Sequence, residues 1–106
     1  MEKENVVAAL SALAQNSRLD VFRYLVTLGP GGAPAGDIAA ACGLAPTTLS
    51  FHLKEMKFAG LITGRREGRS LIYSANYDVM NGLIGYLTEN CCAGDSSCLP
   101  TRNACT

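Results

Sequence analysis

Pro46-Thr47-Thr48-Leu49-Ser50-Phe51-His52-Leu53-Lys54-Glu55-Met56-Lys57-Phe58 is the stretch on which the fold turns. Leu49, Leu53 and Met56 recur at helical spacing, which predicts a helix with one buried face. Pro46 suits the opening of that helix, and Gly60 its stop just after Ala59. Thr47, Thr48, Ser50, His52 and Lys54 crowd hydrogen-bonding side chains into its N-terminal half.

Upstream, Gly43 closes a short helix over 35–42 whose first turn accommodates Pro34. Before it, Gly29-Pro30-Gly31-Gly32 ends a longer helix capped by Ser17, with Leu19, Phe22, Leu25, Val26 and Leu28 as its apolar face. Val6, Val7, Leu10 and Leu13 predict a first helix over roughly 3–14. Downstream, Leu61-Ile62-Thr63 and Ser70-Leu71-Ile72-Tyr73-Ser74 read as strands joined by the hairpin loop Gly64-Arg65-Arg66-Glu67-Gly68-Arg69. Asn76 or Asp78 then caps a last helix with Val79, Leu83, Ile84, Tyr86 and Leu87 at its apolar positions. A short helix, a tight turn, a second helix and a hairpin follow the order of a winged helix-turn-helix. The expected fold is therefore mainly α with a small β-hairpin (α+β), in the order α-α-α-α-β-β-α. It is expected to occupy residues 1–92, with an irregular, cysteine-bearing tail over 93–106.

The chain has 106 residues and 48 % hydrophobic composition, enough for one small core. Its formal net charge is zero, so only local charge can speak for nucleic acid. Residues 52–70 hold Lys54, Lys57, Arg65, Arg66 and Arg69, five of the nine basic residues, against Glu55 and Glu67. The N-terminal half of a recognition helix meets base edges in the major groove, and its hydroxyls and backbone N–H groups also suit phosphate. Arginines on a wing neutralise phosphates or enter a minor groove. Thr47, Thr48, Ser50, His52, Lys54, Arg65, Arg66 and Arg69 are accordingly the candidate DNA-binding residues. The plainer alternatives are a solvated helix face and a hairpin whose charges protect its edges. His52 is the only histidine; with only Glu55 near it in sequence, a DNA contact or a plain helix-surface position fits it better than a metal or catalytic role.

Four of the five cysteines fall in the last sixteen residues: Cys91, Cys92, Cys98 and Cys105. Adjacent cysteines at the end of an amphipathic helix cannot both join its core face. Cys98 follows after Gly94 with slack to fold back. Three converging thiolates fit a trigonal site such as trivalent arsenic or antimony prefers, since soft ligands select soft ions. With Cys105 as a fourth ligand, zinc or cadmium becomes admissible. A disulfide between Cys91 or Cys92 and Cys98 is the redox alternative. Cys42, among alanines and Leu44, reads as a small core residue.

No apolar run approaches the ~18 residues of a membrane span. The charged Met1-Glu2-Lys3-Glu4-Asn5 has no signal-peptide core behind it. A cytoplasmic protein with reduced thiols and no membrane partner is expected. An enzyme is not: there are no paired carboxylates in a common motif, and Gly29-Pro30-Gly31-Gly32 lacks the lysine of a phosphate-cradling loop.

With these elements in place, the chain resembles the arsenic-responsive ArsR/SmtB-type repressors from Leu10 to about Leu87. The carriers are Ala12-Leu13-Ala14-Gln15-Asn16-Ser17-Arg18-Leu19-Asp20-Val21-Phe22-Arg23-Tyr24-Leu25, Asp37-Ile38-Ala39, Leu49-Ser50-Phe51-His52-Leu53-Lys54, Ala59-Gly60-Leu61-Ile62 and the wing Gly64–Arg69. The resemblance implies a homodimer that binds double-stranded operator DNA when apo and releases it when an inducer binds. Two sensor sites of the family are missing. The Cys-x-Cys pair before the recognition helix is replaced by Pro34-Ala35-Gly36-Asp37, and the last helix holds no histidine. Cys91, Cys92 and Cys98 instead match the Cys-Cys-x5-Cys ending of a subgroup of arsenite repressors. The resemblance thus implies As(III), with Sb(III) as a second inducer, at those three thiols. Val6, Leu10, Leu83 and Leu87 of the first and last helices are the expected dimer contacts.

Overall fold

In the computed structural model, which describes residues 1–94, the helices form where apolar positions recur every three or four residues. α1 (Lys3–Leu13) buries Val6, Ala9 and Ala12; α2 (Asn16–Leu28) buries Val21, Phe22 and Leu25. α2 is capped by Gln15, whose side-chain oxygen accepts from the Arg18 N–H at 2.9 Å, and not by Ser17 as expected. Leu19 and Leu28, placed on its apolar face, are exposed. A short 3-10 turn, Gly29–Gly31, leads into a two-residue strand β1 (Ala33–Pro34) that the sequence reading missed. α3 (Ala35–Cys42) and α4 (Pro46–Phe58) form the helix-turn-helix. Gly43, at φ 66°, closes α3 in the left-handed region that favours glycine.

β2 (Ile62–Glu67) and β3 (Ser70–Ala75) pair antiparallel from Ile62↔Ala75 to Glu67↔Ser70. The expected six-residue loop is thus a two-residue turn at Gly68-Arg69, and Arg65 and Arg66 lie within a strand. Pairing propagates through them because charged side chains stand comfortably on a solvated hairpin. β1 adds to the other edge of β3, giving a three-stranded sheet in the order β1-β3-β2. Gly32 makes that docking possible. Its φ is 63°, and a Cβ there would sit 2.1 Å from the Tyr73 carbonyl oxygen.

α5 (Tyr77–Leu87) begins at Asn76, whose side chain accepts from the Val79 N–H at 3.3 Å. Tyr77 Oη donates to the Val26 carbonyl at 2.8 Å and ties this helix to the end of α2. One core collects Val6, Val21, Leu25, Ile38, Leu49, Leu53, Met56, Leu61, Ile62 and Leu83 from all five helices and the sheet. Val6 and Leu83, expected between subunits, are therefore core residues. Val7, Leu10, Ile84 and Leu87 face outward instead. No helix among the described residues is long and apolar enough to cross a membrane.

Candidate nucleic-acid interface and thiol cluster

The periodicity of α4 sorts its side chains by face. Leu49, His52, Leu53 and Met56 turn inward, while Thr47, Thr48, Ser50 and Lys54 are exposed. The four exposed residues were all anticipated as DNA contacts. Ser50 and Lys54 line a cleft of about 220 Å³ between α4 and the sheet, together with Ala35, Leu53, Lys57 and Tyr73. Lys57 is a further basic residue of this cleft, beyond the contacts expected from sequence. Its place one turn after Lys54 (i, i+3) carries the signal.

His52 is a correction. Only 6 % of it is exposed, and its Nδ1 accepts from Arg18 Nε at 3.2 Å. A neutral imidazole bonded in this way carries its proton on Nε2. Burial, then the Arg18 charge, push its pKa below the usual 6.5. It supports α4 from behind and does not reach the exposed face.

Arg65 is already engaged within the subunit. Its guanidinium donates to the Pro30 carbonyl at 3.0 Å, the Gly31 carbonyl at 2.8 Å and Glu67 Oε2 at 2.7 Å. It clamps the wing to the end of α2 and pairs with Glu67, which makes bracing its first role. Arg66 falls on the opposite face of β2 by strand alternation and is exposed, as is Arg69 in the turn.

At the other end of the chain, Thr88 caps α5, and Cys91–Gly94 follow as a short turn. Asn90, Cys92 and Ala93 all have positive φ, so the right-handed helix does not continue through them. The Cys91 and Cys92 sulfurs stand 3.2 Å apart. Cys91 is free and Cys92 is disulfide-bonded. Cys98 and Cys105 lie outside the described residues, among which no three His, Cys, Asp or Glu side chains gather as a metal site. The two sulfurs are thus adjacent at the end of α5, with Cys92 in its oxidised form. Cys42 is half-buried against the core, and burial, then Asp20, push its thiol up, so it stays protonated.

Three comparisons match this arrangement. Residues 13–65, from the end of α1 to the wing, match the helix-turn-helix domain family. The HTH-type transcriptional regulator YgaV of Escherichia coli is 30 % identical over 89 residues, covering 84 % of this chain and 88 % of that protein. Among solved structures, the homodimeric winged helix-turn-helix domain Mb0332 of Mycobacterium bovis, a possible ArsR-family regulator, is 30 % identical with a TM-score of 0.66. The match covers 82 % of this chain and 81 % of that one. NolR of Sinorhizobium fredii is 30 % identical with a TM-score of 0.65, covering 81 % and 83 %. Fold and exposed helix face define a winged helix-turn-helix DNA-binding protein. More particularly, the chain belongs to the ArsR-type family of transcriptional regulators.

Proposed function

We propose that this regulator is a homodimeric repressor that holds operator DNA when apo and releases it when As(III) binds Cys91, Cys92 and Cys98. Sb(III), with the same preference for thiolates, is the expected second inducer. The observation that carries the reading is the sulfur pair, 3.2 Å apart, at the end of α5. Val7 and Leu10 of α1, and Ile84 and Leu87 of α5, form exposed apolar rows that suit a subunit interface. An ion closing the thiols therefore acts where the subunits meet. Thr47, Thr48, Ser50 and Lys54 then face the major groove, with Arg66 and Arg69 on the phosphate backbone and Arg65 bracing the wing. For release, the ion must bind the DNA-incompetent arrangement more tightly, because equal affinity shifts nothing. A typical coupling of ~1–3 kcal/mol per site weakens operator binding ~5–150-fold.

Gel shifts of fully reduced protein with arsenite test this directly. Cys91→Ser, Cys92→Ser and Cys98→Ser should each keep DNA binding and lose release. Release persisting in every variant would sink the reading.

The disulfide at Cys92 favours a second reading, a thiol-redox or persulfide-sensing repressor in which oxidation replaces the ion. It predicts release by oxidant without arsenic, reversed by reductant, with mass spectrometry reporting a loss of two hydrogens for a disulfide or a gain of one sulfur for a persulfide.

A further inference from the structure

One guanidinium joins the outward-facing helix α1 to the recognition helix α4. Arg18, in the first turn of α2, is half-buried. Its Nη1 makes a long hydrogen bond of 3.5 Å to the Ala12 carbonyl at the end of α1. Its Nε donates to His52 Nδ1 at 3.2 Å in the middle of α4. Its Cζ lies 5.8 Å from the centroid of the Phe51 ring, within cation–π range. The three contacts use different parts of one rigid, always-charged fork, so α1 and α4 cannot shift independently without breaking at least one. Nothing in packing requires this. The neighbours of His52 on the inner face, Leu49, Leu53 and Met56, are apolar and already seat α4. A buried imidazole in their company costs desolvation unless its acceptor is used.

We propose that the Arg18–His52 pair is a positioning link, fixing the recognition helix against the helix that carries the subunit interface, and that operator affinity depends on it. The proposal rests on the DNA-binding reading above and adds to it two residues that touch no DNA.

The test is a double-mutant cycle on the full-length dimer. The probe is a fluorescent duplex enriched from a randomised pool by the wild-type protein. Arg18→Gln and His52→Leu should each weaken binding by the folded dimer about tenfold or more, and the double variant should be little worse than either. His52→Asn, which keeps an acceptor near the place of Nδ1, should stay within about threefold of wild type. The salt dependence of binding should keep its slope in all of them, because no phosphate contact is removed. If Arg18→Gln yields no folded dimer, Arg18→Lys, which keeps charge and stem without the fork, is read in its place. Folded variants that bind within twofold of wild type would overturn the link, as would additive losses. So would a slope that falls by about 0.9 in the Arg18 variant, the mark of a direct phosphate contact. Failure of the wild type to enrich any duplex would instead count against the DNA-binding reading, and the link would fall with it.

Discussion

α4 and α5 are of similar length but are finished in opposite ways. α4 buries Leu49, His52, Leu53 and Met56 within its own subunit and shows Thr47, Thr48, Ser50 and Lys54 outside, with Phe51 and Phe58 exposed beside them. α5 buries only Leu83 and turns Ile84 and Leu87 to solvent, the latter 60 % exposed. A helix completed inside its subunit can present a fixed surface to a rigid ligand such as DNA. A helix that is apolar on its outer side is completed by association and can respond to anything that changes the association. On the function proposed above, reading head and control element are separate helices, with Arg18 linking α4 to α1.

The largest effect should come from breaking α5's side of this contrast. Ile84→Asp with Leu87→Asp removes four apolar side chains per dimer, at ~1.5 kcal/mol each, or about 6 kcal/mol. Sedimentation at micromolar concentration should find monomer, with helical circular dichroism retained. If the double variant stays dimeric, the subunits meet elsewhere. Next comes the inner face of α4: Met56→Ala should cost about 2–5 kcal/mol of stability in urea titration, because it opens a cavity at a fully buried site. The same truncation on the outer side of α5, Leu87→Ala, should cost the isolated subunit far less.

The wing offers a finer cut. Arg66→Ala and Arg69→Ala should each reduce the salt slope of DNA binding by about 0.9. Arg65→Ala should weaken binding with the slope unchanged, since its guanidinium is already engaged by Pro30, Gly31 and Glu67. Equal slopes for all three variants would erase the distinction between brace and contact. The smallest effect is that of pH. The folded-state pKa of His52 lies below its ordinary value of 6.5, so below that pH the unfolded chain binds a proton that the folded chain refuses. The His52 contribution is intact above pH 6.5 and is lost as pH falls toward the folded pKa. Urea midpoints of wild type against His52→Asn between pH 7.5 and 5 should show this, with the wild type falling further.

Much of the fold was legible because single residues mark it. Pro46 and Gly60 bound α4, Gly43 ends α3, and Asn76 caps α5. β1 was not legible: two residues carry no alternation, and Ala33–Pro34 becomes a strand only because β3 lies alongside. His52 was misplaced although its spacing was informative. Positions 49, 52, 53 and 56 fall on one helix face, so the period alone places His52 inward. Arg65 and Arg66 were read alike because a loop imposes no sidedness. Once the strand extends through them, alternation puts them on opposite faces. Val6 and Leu83 were assigned to the interface because α1 and α5 carry apolar residues on two sides, and the sequence does not say which side turns inward. The role of Arg18 left no trace in the sequence, since its partners lie 6 and 34 residues away.

The two-residue strand β1 has a consequence for assembly. A hairpin with open edges can recruit strands from other molecules and polymerise. Here one edge of the sheet is a stub ending in Pro34, and the other carries Arg65, Arg66 and Glu67. Neither templates another strand well. Growth through the sheet is blunted, and an apolar surface remains on α1 and α5. If two copies join there about a two-fold axis, each uses up the same patch on the other, and assembly stops at two. A minimal strand on one side of the molecule thus helps set the stoichiometry achieved on another.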